Sequence, residues 1–350
     1  MESREALKHI ADNYFNILDE CSVGPQIEGL APEVYGDVLN DQSTISLTIN
    51  DSRLPLFGIL KYAEWINTEF FEEHGYNTDE LYFCLLPQKF IEENIEEVEN
   101  TILEQNIENG RFTTLIDYPD LNEVKPISEL SYTVSDVDNL VTSVGTPAAT
   151  YHYKADFTPV PEKVKEFKLD QNVQRIQNPD VIEKNFERIW EIYSKQFKAL
   201  VDDHPINGAI PKDILKETIL SEGSDLYAYF DGDGILQSFG YIIKDFKLCP
   251  WLNKEYFDEI SDGKQVLYMP GIATAPESGL SVSTKIMETI LYNNLNEFGE
   301  WVVTFECSNI SAQYIPMLVE RAIENSGIAK FSGLKEVKHM YEVVSFGQLN

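Results

Sequence analysis

Residues 266–291, VLYMPGIATAPESGLSVSTKIMETIL, decide how this chain is read. Val266, Leu267, Tyr268, Met269, Ile272 and Ala273 form an apolar run that predicts a strand. Pro276-Glu-Ser-Gly279 predicts a turn. Val282, Ile286, Ile290 and Asn293 follow at helical spacing. A helix that begins among Gly and Ser leaves its first backbone N–H groups uncovered. Together with the positive end of the helix dipole, they make a site for phosphate or pyrophosphate. The stretch is equally compatible with an ordinary strand-turn-helix joint.

Working outward, residues 172–176 predict a short strand. Residues 181–200 space Ile182, Phe186, Ile189, Trp190, Tyr193 and Phe197 three and four apart, which predicts an amphipathic helix. Pro211 opens a second helix over 212–220. Residues 226–230 and 235–243 flank Asp231-Gly-Asp-Gly234, a hairpin signal. Beyond the quoted stretch come a strand over 301–307, a helix over 310–324, and strands at 328–331 and 341–346. The predicted order over residues 170–350 is β-α-α-β-β-β-α-β-α-β-β.

That order, taken with the turn, resembles the GNAT superfamily of N-acetyltransferases. Its acyl-CoA segment reads Arg/Gln-x-x-Gly-x-Gly/Ala between a strand and a helix. Pro276 takes the family's proline position and Ser278 that of the Arg. Gly279 matches a glycine, while Ser281 and Ser283 stand where the family has Gly or Ala. Asn309, ahead of Ser311-Ala312, parallels an Asn that follows the family's fifth strand.

The resemblance implies an α/β (α+β) mixed sheet and an acyl donor, acetyl-CoA or another acyl-CoA. It implies cofactor contacts from Gly271, Ile272, Ala273, Thr274, Ser278, Gly279, Leu280, Ser281, Val282, Ser283 and Asn309. It further implies that the signature strand and its successor splay apart. The thioester carbonyl would lie between them, polarised by a backbone N–H near Gly271 or Ile272, and an amine would attack it directly. Glu306 is then the carboxylate that takes the amine's proton; its other reading is a solvent-facing strand end. Tyr314 lies two residues from the family's Tyr slot near Pro316, so it is either a general acid or a packing residue. Pro316, seven residues into the expected helix, predicts a kink. Tyr268 is a further polar candidate or a wall aromatic.

Composition bounds the rest. At 350 residues, two domains are expected. The apolar share of 43% supports filled cores. No run of 18 apolar residues predicts a membrane span, and the N-terminal residues show no signal-peptide pattern, so a cytoplasmic protein is expected. Cys21, Cys84, Cys249 and Cys307 form no CxxC pair and the five His residues no metal-ligand spacing, so no metal site is expected. Cys307 reads as a nucleophile or a buried thiol.

The net charge of −32 argues against nucleic-acid and membrane partners and for a cationic small-molecule or peptide amine as acceptor. By count, residues 1–160 hold 30 acids against 8 bases and the remainder 29 against 19, so the first part reads as a different module. Its predicted helices cover 1–20 (Ala6, Ile10, Tyr14 and Ile17 on one face), 56–71, and 87–107 with a solvated glutamate face. Predicted strands cover 44–49, 81–86, 112–116 and 130–134. Residues 156–170 read as a linker between an acidic α+β domain (1–155) and the GNAT-like domain (171–350). The first domain is an acceptor-binding module or a diverged second copy of the fold. Two functions stand side by side: an acyl-CoA-dependent N-acyltransferase, or a non-catalytic interaction protein whose acidic module binds a basic partner or mimics nucleic acid.

Overall fold

The computed structural model describes residues 4–21, 32–49, 52–59, 69, 72, 81–104, 111–113, 132–134, 148–198, 209–279, 281–308, 315–331, 335–342 and 347–349. The first half contributes α1 (Arg4–Cys21), α2 (Pro32–Asn40), β1 (Ile45–Ile49), β2 (Ser52–Ile59) and β3 (Leu81–Cys84). It continues with α3 (Gln88–Glu93), α4 (Ile95–Glu104), β4 (Arg111–Thr113) and β5 (Tyr132–Val134). A long strand, β6 (Ala148–Pro159), leads through α5 (Pro161–Glu166) into β7 (Val173–Ile176), α6 (Pro179–Gln196), α7 (Lys212–Leu220), β8 (Ser224–Phe230) and β9 (Leu236–Ile243). A 3₁₀ turn (Phe246–Leu248) and α8 (Lys254–Ile260) precede β10 (Gln265–Thr274), α9 (Ser281–Phe298) and β11 (Trp301–Ser308). The remaining elements are α10 (Ile315–Ser326), β12 (Ala329–Phe331), β13 (Lys335–Glu342) and β14 (Gly347–Leu349).

The fold is mixed α/β, as expected. One sheet runs β1-β2-β3-β4-β14-β5; the other runs β12-β6-β11-β10-β9-β8-β7, with β13 also paired to β6. In the second sheet β7, β8, β9 and β10 are successively antiparallel, and β10 lies parallel to β11. The signature strand and its successor are thus joined through a helical crossover, as parallel neighbours must be. One face packs on α6, α7 and α8, with Phe186, Ile189, Tyr193, Leu215, Phe239 and Phe257 at its centre. The other packs on α9 and α10 through Leu267, Ile286, Ile290, Trp301, Phe305 and Ile323.

Local chemistry explains the ends of these elements. Pro179 opens α6, and the Asn178 side chain caps it by accepting from Asp180 N at 3.0 Å. Asp231 holds the β8–β9 turn by accepting from the N–H groups of Asp233 and Ile235, and Gly234 takes φ +75° there. That conformation suits glycine.

The structure corrects several expectations. Residues 56–59 are the end of strand β2, which pairs with β1 on one edge and β3 on the other, not helix. The apolar aromatics around them carry both periods, and the sheet wins; residues 60–68 lie outside the described set. The helix expected over 87–107 is two helices divided at Asn94. In α1 it is Leu18 rather than Ile17 that is buried with Tyr14. α10 is described from Ile315, with Pro316 as its second residue; residues 309–314, on which the expected kink depends, lie outside the described residues. The 3₁₀ turn and α8 were not expected, although Asn253 capping Tyr256 N marks the latter.

The largest correction concerns residues 156–170. Residues 156–159 complete β6, which pairs with β11 from Thr150↔Ser308 to Phe157↔Trp301. Residues 161–166 form α5. The first four residues of the expected linker therefore belong to an inner strand of the second sheet. Reciprocally, β14, near residue 350, inserts between β4 and β5 of the first sheet. The two sheets also repeat one order. In the first half, β1, β2 and β3 are successively antiparallel, α3 and α4 intervene, and β4 is parallel to β3. Both sheets then accept an antiparallel strand drawn from the other half, β14 or β6.

Candidate functional site

The site begins with a register. β10 and β11 pair at Gln265↔Trp301, Val266↔Val302, Leu267↔Val303 and Tyr268↔Thr304, and no further. Beyond that point β10 follows β9 to Thr274, while β11 follows β6 to Ser308. The two parallel strands part, leaving a gap whose edges are residues 269–274 and 305–308.

A bulge marks the parting. Tyr268 pairs with Ile243 but Gly271 with Tyr241, so Met269-Pro270 adds one residue to β10. Proline fits there because it has no N–H to lose. The extra residue inverts the alternation of side chains. Before it, Tyr268 faces α6–α8 and Met269 faces α9. After it, Gly271 and Ala273 face α6; a side chain at Gly271 would meet the Phe197 ring at 3.1 Å.

Backbone polarity follows the same alternation. Ala275 N–H donates to Gln237 O at 2.8 Å, which places the ladder bonds to β9 at Ala275, Ala273 and Gly271. The N–H groups of Ile272 and Thr274 therefore point away from β9, into the gap. Of the two positions expected to polarise a carbonyl, Ile272 has the direction and Gly271 does not.

The turn after β10 closes with Ser278 N–H donating to Ala275 O at 2.8 Å, and α9 starts with Val282 N–H donating to Gly279 O at 3.1 Å. A side chain at Gly279 would meet nothing within 4 Å, so this backbone is open to a ligand. The serines behave differently from the expectation. The Ser278 hydroxyl donates to Gln237 Oε1 at 2.8 Å. Ser283 Oγ lies 2.7 Å from Thr274 Oγ1, which in turn lies 2.7 Å from Ser238 Oγ. These hydroxyls tie the turn to the sheet. Ser281 is exposed at the helix start, and Val282 and Ala273 are buried. Arg188 secures the turn from α6, bonding Leu236 O at 3.1 Å and Glu277 at 2.7 Å. Leu280, Asn309 and Tyr314 lie outside the described residues.

The other wall carries the titratable groups. Phe305 and Cys307 pack toward α9 and α10, so Glu306 between them faces the same side as Tyr268. Its side chain is 22% exposed. Tyr268 is buried and within hydrogen-bonding reach of Glu306; burial first, and then the Glu306 charge, push its phenol well above the ordinary range. Tyr268 therefore keeps its proton and donates it to a hydrogen bond. Burial likewise pushes Cys307 up to about 12, with Glu306 adding to the shift. A thiol so raised forms no thiolate near neutrality, which removes Cys307 as a nucleophile.

One neighbour of Glu306 was not singled out in the sequence. His152 stands opposite Glu306 in the β6–β11 register, with its Nδ1 3.5 Å from Glu306 Oε1 and its side chain fully buried. It lies in the half read as a separate domain. The alternation of residues 151–157 (Tyr, His, Tyr, Lys, Ala, Asp, Phe) was the available signal, since it is the pattern of a strand.

No group of His, Cys, Asp and Glu among the described residues could hold a metal ion. No described helix is long and apolar enough to cross a membrane.

No family's sequence pattern matches the chain, and no curated protein does. Among solved structures, a GNAT-family acetyltransferase from Colwellia psychrerythraea is 12% identical over 99% of this chain and 98% of its own, with a TM-score of 0.42. A GCN5-related N-acetyltransferase from Sphaerobacter thermophilus is 11% identical over 98% and 92%, with a TM-score of 0.41. A tandem GNAT protein from the clavulanic acid biosynthesis pathway is 10% identical over 77% and 74%, with a TM-score of 0.38. Likenesses of this size transfer neither activity nor substrate. The GNAT-like description of the fold rests on its strand order and its parted strands.

Proposed function

We propose that the chain is an acyl-CoA-dependent N-acyltransferase in which an amine attacks the thioester directly. The observation that carries this reading is the parting of β10 and β11 after Tyr268↔Thr304, with Glu306 on the wall that faces α6–α8. The residues present fit such a donor: Ile272 and Thr274 N–H point into the gap, and the open backbone at Gly279 leads into the N-terminus of α9. Acyl-CoA, when bound, supplies the activated acyl carbon and takes up a proton as it leaves as a thiol. Ile272 N–H stabilises charge that develops on an oxygen in the gap. Glu306 accepts the amine's proton, and Tyr268 holds the Glu306 carboxylate in place. With both described cysteines of this region buried and held at about 12, attack by the amine needs no acyl-cysteine. The acidic surface favours a cationic acceptor.

A second reading is favoured by the engaged serines. If the Ser278 and Ser283 hydroxyls stay on Gln237 and Thr274, phosphate has backbone donors alone, and the chain is a non-catalytic interaction protein.

Thermal melting separates the two. A ligand that binds only the folded state stabilises it by about 2.7 kcal/mol at a hundredfold excess over Kd. Acetyl-CoA or a longer acyl-CoA should raise the melting temperature by a few degrees. Gly279→Asp should abolish that rise without lowering the melting temperature of the free protein, because the position opens on space. No rise with any acyl-CoA discards the enzyme reading.

A further inference from the structure

We infer that His152 is a positioning residue for Glu306, so that the acid–base apparatus of the second sheet is assembled from both halves of the chain. The inference rests on the reading of Glu306 as proton acceptor.

Three observations carry it. His152 and Glu306 are direct partners across an antiparallel ladder, and their facing atoms are 3.5 Å apart. The imidazole is wholly buried while the carboxylate is 22% exposed, so one partner is fixed and the other reaches the gap. β6 itself is held on both edges, by β11 and by β13, and is pinned further where Lys154 donates to Ile260 O and Thr304 donates to Tyr153 O. A histidine on such a strand has no freedom to follow a moving carboxylate. It can only hold one.

Glu306 lies between Tyr268 of β10 and His152 of β6. Each offers a donor, a phenol O–H and an imidazole N–H. Groups from two different strands therefore flank the carboxylate, which remains partly exposed. The 3.5 Å separation is long for a hydrogen bond and suits a contact that tightens when charge moves in the gap. Asn or Gln in place of His152 supplies a donor without the ring's reach, and Ala supplies neither.

The test uses the full chain with ¹⁵N-labelled histidine. Long-range proton–nitrogen spectra report tautomer and hydrogen bonding at each imidazole, and the His152 signals are those absent from His152→Gln. Glu306→Gln should move the His152 Nδ1 resonance and leave the other histidines unchanged; an unmoved resonance overturns the pairing. In turnover assays His152→Asn should lower kcat by about tenfold or more, part of the 10²–10⁴ that a general base contributes, with KM for acyl-CoA unchanged. The double variant with Glu306→Gln should be no slower than Glu306→Gln alone. Additive losses, or a loss confined to KM, overturn the positioning role. Failure of the acyl-transfer reading shows separately: the melting temperature ignores acyl-CoA while the His152 resonance still answers to Glu306→Gln.

Discussion

One added residue in β10 decides which atoms face the gap. Without the Met269-Pro270 bulge, Gly271 and Ile272 would exchange faces, and the N–H now aimed into the opening would be spent on β9. At this scale Glu306→Gln should lower kcat by roughly 10²–10⁴ with little change in acyl-CoA binding, measured by turnover and by melting shift. A second expectation concerns Glu288 on α9. Burial raises its carboxyl above the ordinary 4.5, Lys285 lowers it and Asp170 raises it. A carboxyl raised in the fold costs stability once ionised. Glu288→Gln should therefore melt higher than the parent at pH 7–8, with the gap closing as pH falls toward 4; a constant difference across that range defeats the argument. Glu306 could be singled out in the sequence because it is the one charged residue of the apolar run 301–307, which continues past it as strand β11. His152 was not, because nothing local marks a histidine whose partner lies on a strand far along the chain.

Elements were legible where one period dominated. The spacing of residues 181–200 gave α6 nearly to its ends, and Asp231-Gly-Asp-Gly234 gave the β8–β9 hairpin. Around residues 56–59 a dense apolar run fits both periods, and pairing with β1 and β3 made a strand of it. The contact between β9 and α9 offers a test of packing. A Cβ at Gly240 would come within 2.9 Å of Ile272 Cγ1 and 3.2 Å of Ile286 Cγ2. Gly240→Val should destabilise the protein by about 1–3 kcal/mol in denaturant titration. It should also weaken any acyl-CoA response, since Ile272 must shift.

For the whole molecule, the parallel with the GNAT fold was legible because it lies in the order of elements. The exchange of strands between halves was not, since order along a chain does not say which sheet a strand joins. A fragment of residues 171–350, cut at the boundary the sequence suggested, lacks β6. It leaves β11 with an unpaired edge and Trp301, Val303 and Phe305 without Phe157, Ala155 and Tyr153 across the ladder. That fragment should lack near-ultraviolet dichroism and aggregate, whereas a fragment starting at residue 148 should recover a folded second sheet. A well-dispersed amide spectrum from residues 171–350 contradicts this.

The insertion of β14 between β4 and β5 also sets a schedule. A ribosome adding about 5–20 residues per second emits β4 and β5 long before residues 347–349 exist. For on the order of ten seconds or more the emerging first sheet has a vacant lane. A nascent chain in that condition is a natural client for chaperones, and one released before residues 347–349 are made would leave the first sheet unsealed.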